Sequence, residues 1–194
     1  MLDCRIIVIG LLCMASLGAA RLDAAQSHYL LSGMGGGWQV GSFRAVEESP
    51  TKNQYSYYGQ FFAGYSFEKQ IDAKLFLSYR PLNKSGATLD SADSQQLFYG
   101  AELGVRFVRG VYAGVRVGDT QLKSRSPKGD NEYGIWTGIS GGFVLGGYFD
   151  IDNTSKVTLA VVVETSQLQR DSDSSRPWDS YLVQISYDFF DRLK

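Results

Sequence analysis

The sequence contains very little cysteine and histidine. Its two cysteines, Cys4 and Cys13, lie within the first 20 residues, and His28 is the sole histidine. Once an N-terminal export segment is removed, no cysteine remains for a disulfide or a reactive thiolate. Metal sites built on His or Cys are excluded by count, and Ser–His nucleophilic catalysis has little support. We therefore expect no cofactor and no enzymatic activity.

Strong charge and long apolar runs are also missing. The formal net charge is −1 over 194 residues, which argues against a basic nucleic-acid-binding protein. Outside the N-terminus no run of 18 apolar residues offers a membrane-spanning helix. Most of the many glycines recur at alternate positions, as on one face of a β-strand, and do not form the glycine-rich turn before a helix that binds phosphate.

Residues 1–20 are typical of a signal peptide. Arg5 supplies positive charge, residues 6–17 form the apolar region, and Gly18, Ala19 and Ala20 suit cleavage. An N-terminal anchor is the alternative, but the apolar run is short for spanning a bilayer. We therefore predict that the chain is exported across an inner membrane. Residues 21–28 form a short lead between the signal peptide and the first strand.

From Tyr29 onward, apolar and polar residues alternate with a period of two, which predicts β-strands with two different faces. Each strand has about 12 to 15 residues, whereas globular strands average about 5–6, and about 9–11 tilted residues cross a bilayer. We predict eight strands, at 29–42, 55–68, 71–82, 95–107, 111–122, 133–147, 156–168 and 178–190.

The connections alternate in length. Longer polar stretches occupy 43–54, 83–94, 123–132 and 169–177. Shorter links are Lys69–Gln70, Val108–Gly110 and Tyr148–Ser155, with an extension of the preceding strand over Tyr148–Ile151 as the alternative for the third. Long loops on one side and short turns on the other are typical of outer-membrane barrels, with the long loops outside the cell. The fold class is therefore all-β, an eight-stranded antiparallel up-and-down transmembrane barrel over 29–190, with a periplasmic tail at 191–194.

Charged residues and glycines fall on the same face of the strands, opposite the aliphatic residues. Among the charged residues, Asp119 and Asp179 are the exceptions within the predicted strands, and both lie near loop ends. Among the glycines, Gly36, Gly59, Gly141 and Gly147 are the exceptions. A Lys or Arg facing lipid at mid-depth costs about 2–4 kcal/mol, so the charged face is expected inside the barrel. Aromatic residues toward the strand ends of the apolar face are expected to form two interfacial girdles: Tyr55, Tyr57, Tyr65, Phe67, Tyr79, Phe107, Tyr133, Tyr181, Tyr187 and Phe189.

Inward charges predict a network in the lumen. A three-residue turn at Val108–Gly110 would pair Phe107 with Val111 and hence Glu102 with Arg116. We expect a buried ion pair there, joined by Lys74 and Glu164 at similar depth. The full predicted network is Lys74, Arg80, Glu102, Arg106, Arg116 and Glu164. It would either pass ions or plug the barrel, and eight strands favour a plug because so narrow an interior is filled by side chains.

The chain resembles the small outer-membrane barrels of the OmpA/OmpX type. The resemblance covers about residues 29–190 and rests on the alternating strands, the loop asymmetry and a last strand, Tyr181–Phe190, with terminal aromatic residues. It implies insertion by the barrel-assembly machinery, which reads a terminal aromatic residue; here Asp191–Lys194 follow Phe190. It also implies a structural or surface-interaction role, with no shared catalytic residues, in the cell outer membrane.

Two other functions stay open. A secreted lipocalin-like carrier is also an eight-stranded barrel, and Gly36-x-Trp38 resembles its Gly-x-Trp motif. A lipid-A-modifying outer-membrane enzyme is the other. The expected partners are outer-membrane lipid and lipopolysaccharide, with Lys123, Arg125 and Lys128 near its phosphates, and the chain is expected to be a monomer. The extracellular partner is not specified by the sequence.

Overall fold

The computed structural model describes residues 27–43, 52–84, 94–107, 110–125, 133–169 and 176–193. The predicted signal peptide, most of the lead and most of each long loop lie outside the described residues. Within the described part of the chain, no helix is long and apolar enough to cross a membrane.

Eight antiparallel strands close into one barrel, as the alternation predicted. Each strand pairs with the next in the chain, and β1 pairs with β8 to complete the circle. Closure satisfies the backbone groups that an open sheet would leave unpaired at its edges. The strands are β1 His28–Phe43, β2 Lys52–Phe67, β3 Ile71–Lys84, β4 Ser94–Phe107, β5 Val111–Arg125, β6 Tyr133–Asp150, β7 Ser155–Gln169 and β8 Arg176–Arg192.

The strands run past several predicted bounds at the loop end. β5 continues to Arg125 and β8 begins at Arg176, so Lys123 lies in a strand and not in a loop. The outer positions Asp119, Gln121 and Lys123 are exposed. Polar outer residues at this end are compatible with water or lipid head groups, because charge becomes less costly toward the interface.

The two faces differ sharply in exposure. Strand β7 alternates buried and exposed residues along most of its length. Its exposed members are Leu159, Val161 and Val163 in the middle of the strand, and Gln167 and Gln169 at its loop end. Large aliphatic side chains on the outer surface reach 70% exposure at Leu75 and 68% at Ile139. The apolar face of the barrel therefore points outward, opposite to a soluble barrel, and the polar face is the buried one.

The β2–β3 turn differs from the predicted link. β2 ends at Phe67 instead of Glu68, and both Glu68 and Lys69 adopt left-handed φ values, 51° and 55°. The amide of Gln70 donates to the carbonyl of Phe67 at 2.8 Å. Two successive left-handed residues give the primed turn whose twist matches a hairpin. The prediction missed it because neither residue is Gly or Asn, the usual signals.

The β6–β7 connection is shorter than predicted. The predicted link Tyr148–Ser155 is wrong at both ends, because β6 runs to Asp150, which pairs with Lys156, and β7 begins at Ser155. The alternative, in which Tyr148–Ile151 extend the strand, is confirmed as far as Asp150. The turn closes where the Ile151 amide donates to the Ser155 carbonyl at 3.1 Å. The Asp152 carboxylate accepts hydrogen bonds from the hydroxyl and the amide of Thr154, which lowers the pKa of Asp152 to about 2.

The β4–β5 turn is consistent with the predicted type. Gly110 has a φ of 80°, the left-handed conformation expected where glycine closes a three-residue hairpin link. Val108 and Arg109 lie outside the described residues. The strands on either side of them have the register that a three-residue link predicts, because Phe107 pairs with Val111.

Candidate functional site

All six residues of the predicted lumen network lie inside the barrel. They come from β3, β4, β5 and β7 and are at most 6% exposed. Alternation alone directs each of them inward, because the residues next to it in the chain belong to the outer face. They are Lys74, Arg80, Glu102, Arg106, Arg116 and Glu164.

Glu102 lies at the centre of the first cluster. It is directly opposite Arg116 in the β4–β5 register, and Arg116 Nε donates to Glu102 Oε2 at 2.5 Å. Its other oxygen, Oε1, accepts from Lys74 Nζ at 3.1 Å and from the Tyr112 hydroxyl. Lys74 also lies 3.1 Å from that hydroxyl. Glu102 is thus bound by two cations and a phenol.

Glu164 joins two arginines on the far side. Arg80 binds it with both terminal nitrogens, at 2.5 Å from Nη1 to Oε2 and 3.0 Å from Nη2 to Oε1. Arg116 Nη1 reaches Glu164 Oε1 at 3.3 Å, and Arg116 Nη2 donates to Gln184 Oε1 at 2.8 Å. Arg116 therefore links the two glutamates, and the forked Arg80 contact is the geometry that gives strong charge-assisted bonds.

Arg106 belongs to a second cluster, nearer the short turns. Its guanidinium binds Asp72 and, at 2.5 Å, Asp188 Oδ2. Thr158 Oγ1 also donates to Asp188 Oδ2, at 3.0 Å. Lys74 Nζ lies 3.9 Å from Asp72 and connects this cluster with the first. The predicted network therefore lacked the two carboxylates that hold Arg106.

Aromatic rings cover the faces of these cations. Arg116 lies 5.1 Å from the centre of the Phe76 ring, and Arg80 lies 5.4 Å from that of Phe98. Lys74 lies 4.9 Å from the Phe62 and Tyr112 rings, and Arg106 lies 5.0 Å from Phe190. A cation over an aromatic face is stabilised by the ring's quadrupole, more strongly where water is excluded. The alternation of the strands predicts inward aromatic residues, but it does not show which ring covers which cation.

Four inward cations and four carboxylates balance one another in the two clusters. Lys74, Arg80, Arg106 and Arg116 face Asp72, Glu102, Glu164 and Asp188. Such balance is necessary, because removing one partner of a buried ion pair leaves a charge that nothing compensates. Among the described residues no group of His, Cys, Asp and Glu is arranged to hold a metal ion.

A neutral polar layer lies above the ion pairs, toward the long loops. Gln39 Nε2 donates to Gln96 Oε1 at 3.2 Å and to Ser180 Oγ at 3.0 Å. Trp178 Nε1 donates to the same Ser180 oxygen at 2.7 Å, and its indole is buried with Leu122 and Leu168. Side chains therefore also occupy the lumen on the long-loop side of its charged centre.

The outer surface carries the expected belt. Aliphatic residues such as Leu75, Leu145 and Ile185 are exposed around the barrel, and aromatic residues flank them. Tyr55, Tyr57, Tyr65, Tyr79, Phe107, Tyr181 and Phe189 are 36–56% exposed. Trp38 packs edge-on against Tyr57, with ring centres 4.4 Å apart. A closed barrel with an apolar outer band and flanking aromatic residues is the β-structure that can span a bilayer.

Comparison with solved structures identifies the same architecture. Neisserial surface protein A superposes with a TM-score of 0.59 at 11% identity, covering 86% of this chain and 99% of its own. The fold is that of the small outer-membrane barrels. Ail of Yersinia pestis gives 0.51 at 16% identity (82% and 98% covered), and the outer-membrane protein AlkL gives 0.51 at 12% (87% and 92%). Belt and fold together make this chain an integral outer-membrane barrel.

At these identities the likeness defines the fold and not the activity. No protein-family model and no curated protein matches the sequence. The lipocalin-like alternative requires the apolar face inside, whereas the structure has it outside. The Trp38 side chain of the Gly-x-Trp motif is 59% exposed on the outer surface. His28, the residue a Ser–His enzyme would need, lies at the short-turn end of the barrel with its ring against Tyr65 and Phe67.

Proposed function

We propose that the protein is a closed outer-membrane barrel with a non-enzymatic structural or surface-interaction role, in which the loops carry specificity and the lumen is a plug. The observation that carries the plug is the network joining Lys74, Glu102, Arg116, Glu164 and Arg80, each at most 6% exposed. An eight-stranded barrel is narrow enough for such side chains to fill it.

Ion conductance tests the plug. We expect the purified barrel in a planar lipid bilayer to give no discrete conductance steps. The double variant Arg80→Ala/Glu164→Ala removes a cation and an anion together, so the charge balance is kept while the lumen is widened. This variant should conduct in discrete steps. Conductance steps from the unaltered protein would overturn the plug.

The loops are the second part of the proposal. Binding residues are found disproportionately on loops that a rigid scaffold positions. Residues 44–51, 85–93, 126–132 and 170–175 lie outside the described residues, between the long strands. Lys123 is exposed near one of these segments, and Arg125 and Lys128 follow it in sequence. Their proposed ligands are the phosphates of lipopolysaccharide, and the proposed oligomeric state is a monomer.

Lipopolysaccharide binding should depend on these three basic residues. We expect Lys123→Gln/Arg125→Gln/Lys128→Gln to weaken binding of the barrel to lipopolysaccharide vesicles and to reduce its salt dependence, because surface charge interactions are screened by salt. The control replaces Lys69, which lies at the periplasmic end, with Gln. Equal binding by the triple variant and the control would contradict this role. A mass shift of lipid A on expression would overturn the non-enzymatic proposal.

A further inference from the structure

The second cluster of the lumen contains polar atoms that have no partner among the residues that the structure describes. Arg106 binds Asp72 and Asp188 through its two terminal nitrogens, and its Nε has no acceptor. One oxygen of Asp72, Oδ1, has no donor, and the Ser66 hydroxyl has no partner. Ser66, Asp72 and Arg106 are at most 3% exposed. Because buried polar groups in proteins are nearly always hydrogen-bonded, these three atoms indicate a ligand.

The three atoms belong to side chains that lie next to one another on neighbouring strands. Ser66 on β2 is directly opposite Asp72 on β3, and both are fully buried on the inner face. The Cβ atoms of residues in such pairs are about 4.5–5.5 Å apart. Arg106 on β4 joins them, because its guanidinium is hydrogen-bonded to the Asp72 carboxylate. A small molecule bound between these side chains is within reach of all three.

The first cluster, by contrast, is fully paired. Arg80 Nε donates to the Ser78 hydroxyl at 3.0 Å, and Arg116 Nε donates to Glu102 Oε2 at 2.5 Å. Neither of these arginines, and neither Glu102 nor Glu164, has an unpartnered buried atom. Among the ion-pairing side chains of the described residues, unsatisfied atoms are therefore confined to the second cluster.

We propose that the second cluster binds one water molecule, which donates to Asp72 Oδ1, accepts from Arg106 Nε and is hydrogen-bonded to the Ser66 hydroxyl. Buried waters typically make about three hydrogen bonds to otherwise unsatisfied groups. An ion fits less well, because the cations and carboxylates of the lumen already balance and an added charge would have no partner. The proposed plug would then consist of a dry charged centre and a hydrated base.

The water site is near the short-turn end of the barrel. Asp72 is the second residue of β3, and Ser66 and Arg106 are the penultimate residues of β2 and β4. Two rings lie over the site on this side. Phe190 is 5.0 Å from the Arg106 guanidinium, and Tyr29 packs edge-on against Phe190 with ring centres 6.3 Å apart. The shortest route for water exchange is therefore past these rings.

Lys69 lies across this route. Its ammonium is 4.8 Å from the centre of the Tyr29 ring and donates to the Asn153 carbonyl. Asn153 belongs to the β6–β7 turn, four strands round the barrel from the β2–β3 turn that carries Lys69. The left-handed φ of Lys69, 55°, is uncommon for a residue other than glycine, and such backbone clusters at functional sites. We expect Lys69 to slow the exchange of the bound water.

Proton NMR of the purified barrel in lipid nanodiscs tests the site, with the Nε–H groups of the three inward arginines as probes. We expect a nuclear Overhauser cross-peak between water and the Arg106 Nε–H, and none at Arg80 or Arg116; a rotating-frame spectrum separates this contact from proton exchange. Absence of the Arg106 cross-peak would overturn the bound water. Equal cross-peaks at all three arginines would overturn the plug as well, because they would indicate water throughout the lumen.

Two isosteric variants locate the water within the cluster. Ser66→Val should reduce the Arg106 cross-peak by about half or more, because one of about three hydrogen bonds to the water is lost. Thr158→Val is the matched control, because the Thr158 hydroxyl already donates to Asp188 Oδ2 at 3.0 Å. It should leave the cross-peak unchanged. Equal cross-peaks in the two variants would overturn the contact with Ser66.

Replacing sodium with choline in the buffer distinguishes water from a bound cation. The Arg106 signals should not change, because water is present in both buffers. A shift of these signals on removal of sodium would overturn the water in favour of a cation.

Hydrogen exchange in D2O tests the role of Lys69. Asparagine tolerates left-handed backbone, but its side chain is too short to make the contact with Asn153. Lys69→Asn should therefore speed the exchange of the Arg106 Nε–H several-fold. Glu68→Asn changes the other left-handed residue of the turn and should leave the rate unchanged. Equal rates in the two variants would overturn the closing role of Lys69.

Discussion

Replacing Glu164 with Ala is expected to destabilise the barrel by about 3–5 kcal/mol, because it leaves buried positive charge without its carboxylate. Arg80 is fully buried and binds Glu164 through both terminal nitrogens, while Arg116 uses the same carboxylate at 3.3 Å. Urea unfolding in phospholipid vesicles, followed by tryptophan fluorescence, measures the loss.

Two companion variants separate the network from a general effect of substitution. Asp119→Ala removes an exposed carboxylate from the outer surface of β5 and should change stability by no more than about 0.5 kcal/mol. Arg80→Met/Glu164→Met removes both partners and fills their space, so it should be more stable than Glu164→Ala alone. Equal stability of Glu164→Ala and Asp119→Ala would contradict the network.

A methyl group at Gly118 is expected to destabilise the barrel by about 1–3 kcal/mol, the usual effect of overpacking. Gly118 is opposite Gly100 in the β4–β5 register, on the inner face. A Cβ atom on Gly118 would lie 2.7 Å from the Cα of Gly100, a contact that only backbone movement can relieve. Urea unfolding of Gly118→Ala gives the loss directly.

Gly59→Ala is the control, because the space over Gly59 is open. Glycine inside a strand is destabilising by roughly 0.5–1 kcal/mol relative to alanine, so this variant should be neutral or slightly stabilised. If Gly118→Ala lowers the stability of the barrel and Gly59→Ala raises it, the glycines of the inner face are needed for close packing of neighbouring strands. Equal destabilisation would contradict that assignment.

The part of the network within neighbouring strands was predictable from sequence. Val108–Gly110 is a turn of defined length, and turn length sets the register of the hairpin that it closes. The Glu102–Arg116 pairing follows from that register, and the structure has it at 2.5 Å. Inward direction followed from alternation, because a one-residue slip would expose every charge to lipid.

Contacts across the lumen were not predictable in the same way. Arg106 on β4 reaches Asp188 on β8, and these strands are not neighbours. The depth at which two such strands meet depends on the tilt and stagger of the closed barrel, which no single hairpin determines. Alternation correctly places Asp72 and Asp188 on the inner face. That Arg106 binds both of them is visible only in the closed barrel.

The contacts between the inner rings and the cations were not predictable for a different reason. Alternation places Phe76 and Phe98 on the inner face, but it does not determine which cation each ring covers. Their packing, with ring centres 4.8 Å apart and Phe76 against Arg116, shows that they cover charged groups in the lumen. For such residues, the position in the strand predicts the inner or outer face better than hydrophobicity does, because the backbone fixes the direction in which a strand side chain points.

Tryptophan quenching by brominated lipid tests the orientation of the two faces most directly. Trp38 is 59% exposed on the outer wall, whereas Trp178 is 1% exposed inside the lumen. Variants that retain one of these indoles, with phenylalanine at the other two tryptophan positions, are reconstituted in vesicles with bromine near the head-group end of the acyl chains. We expect strong quenching of Trp38 and little of Trp178. Equal quenching, or stronger quenching of Trp178, would contradict a barrel with its apolar face in lipid and its charged face enclosed.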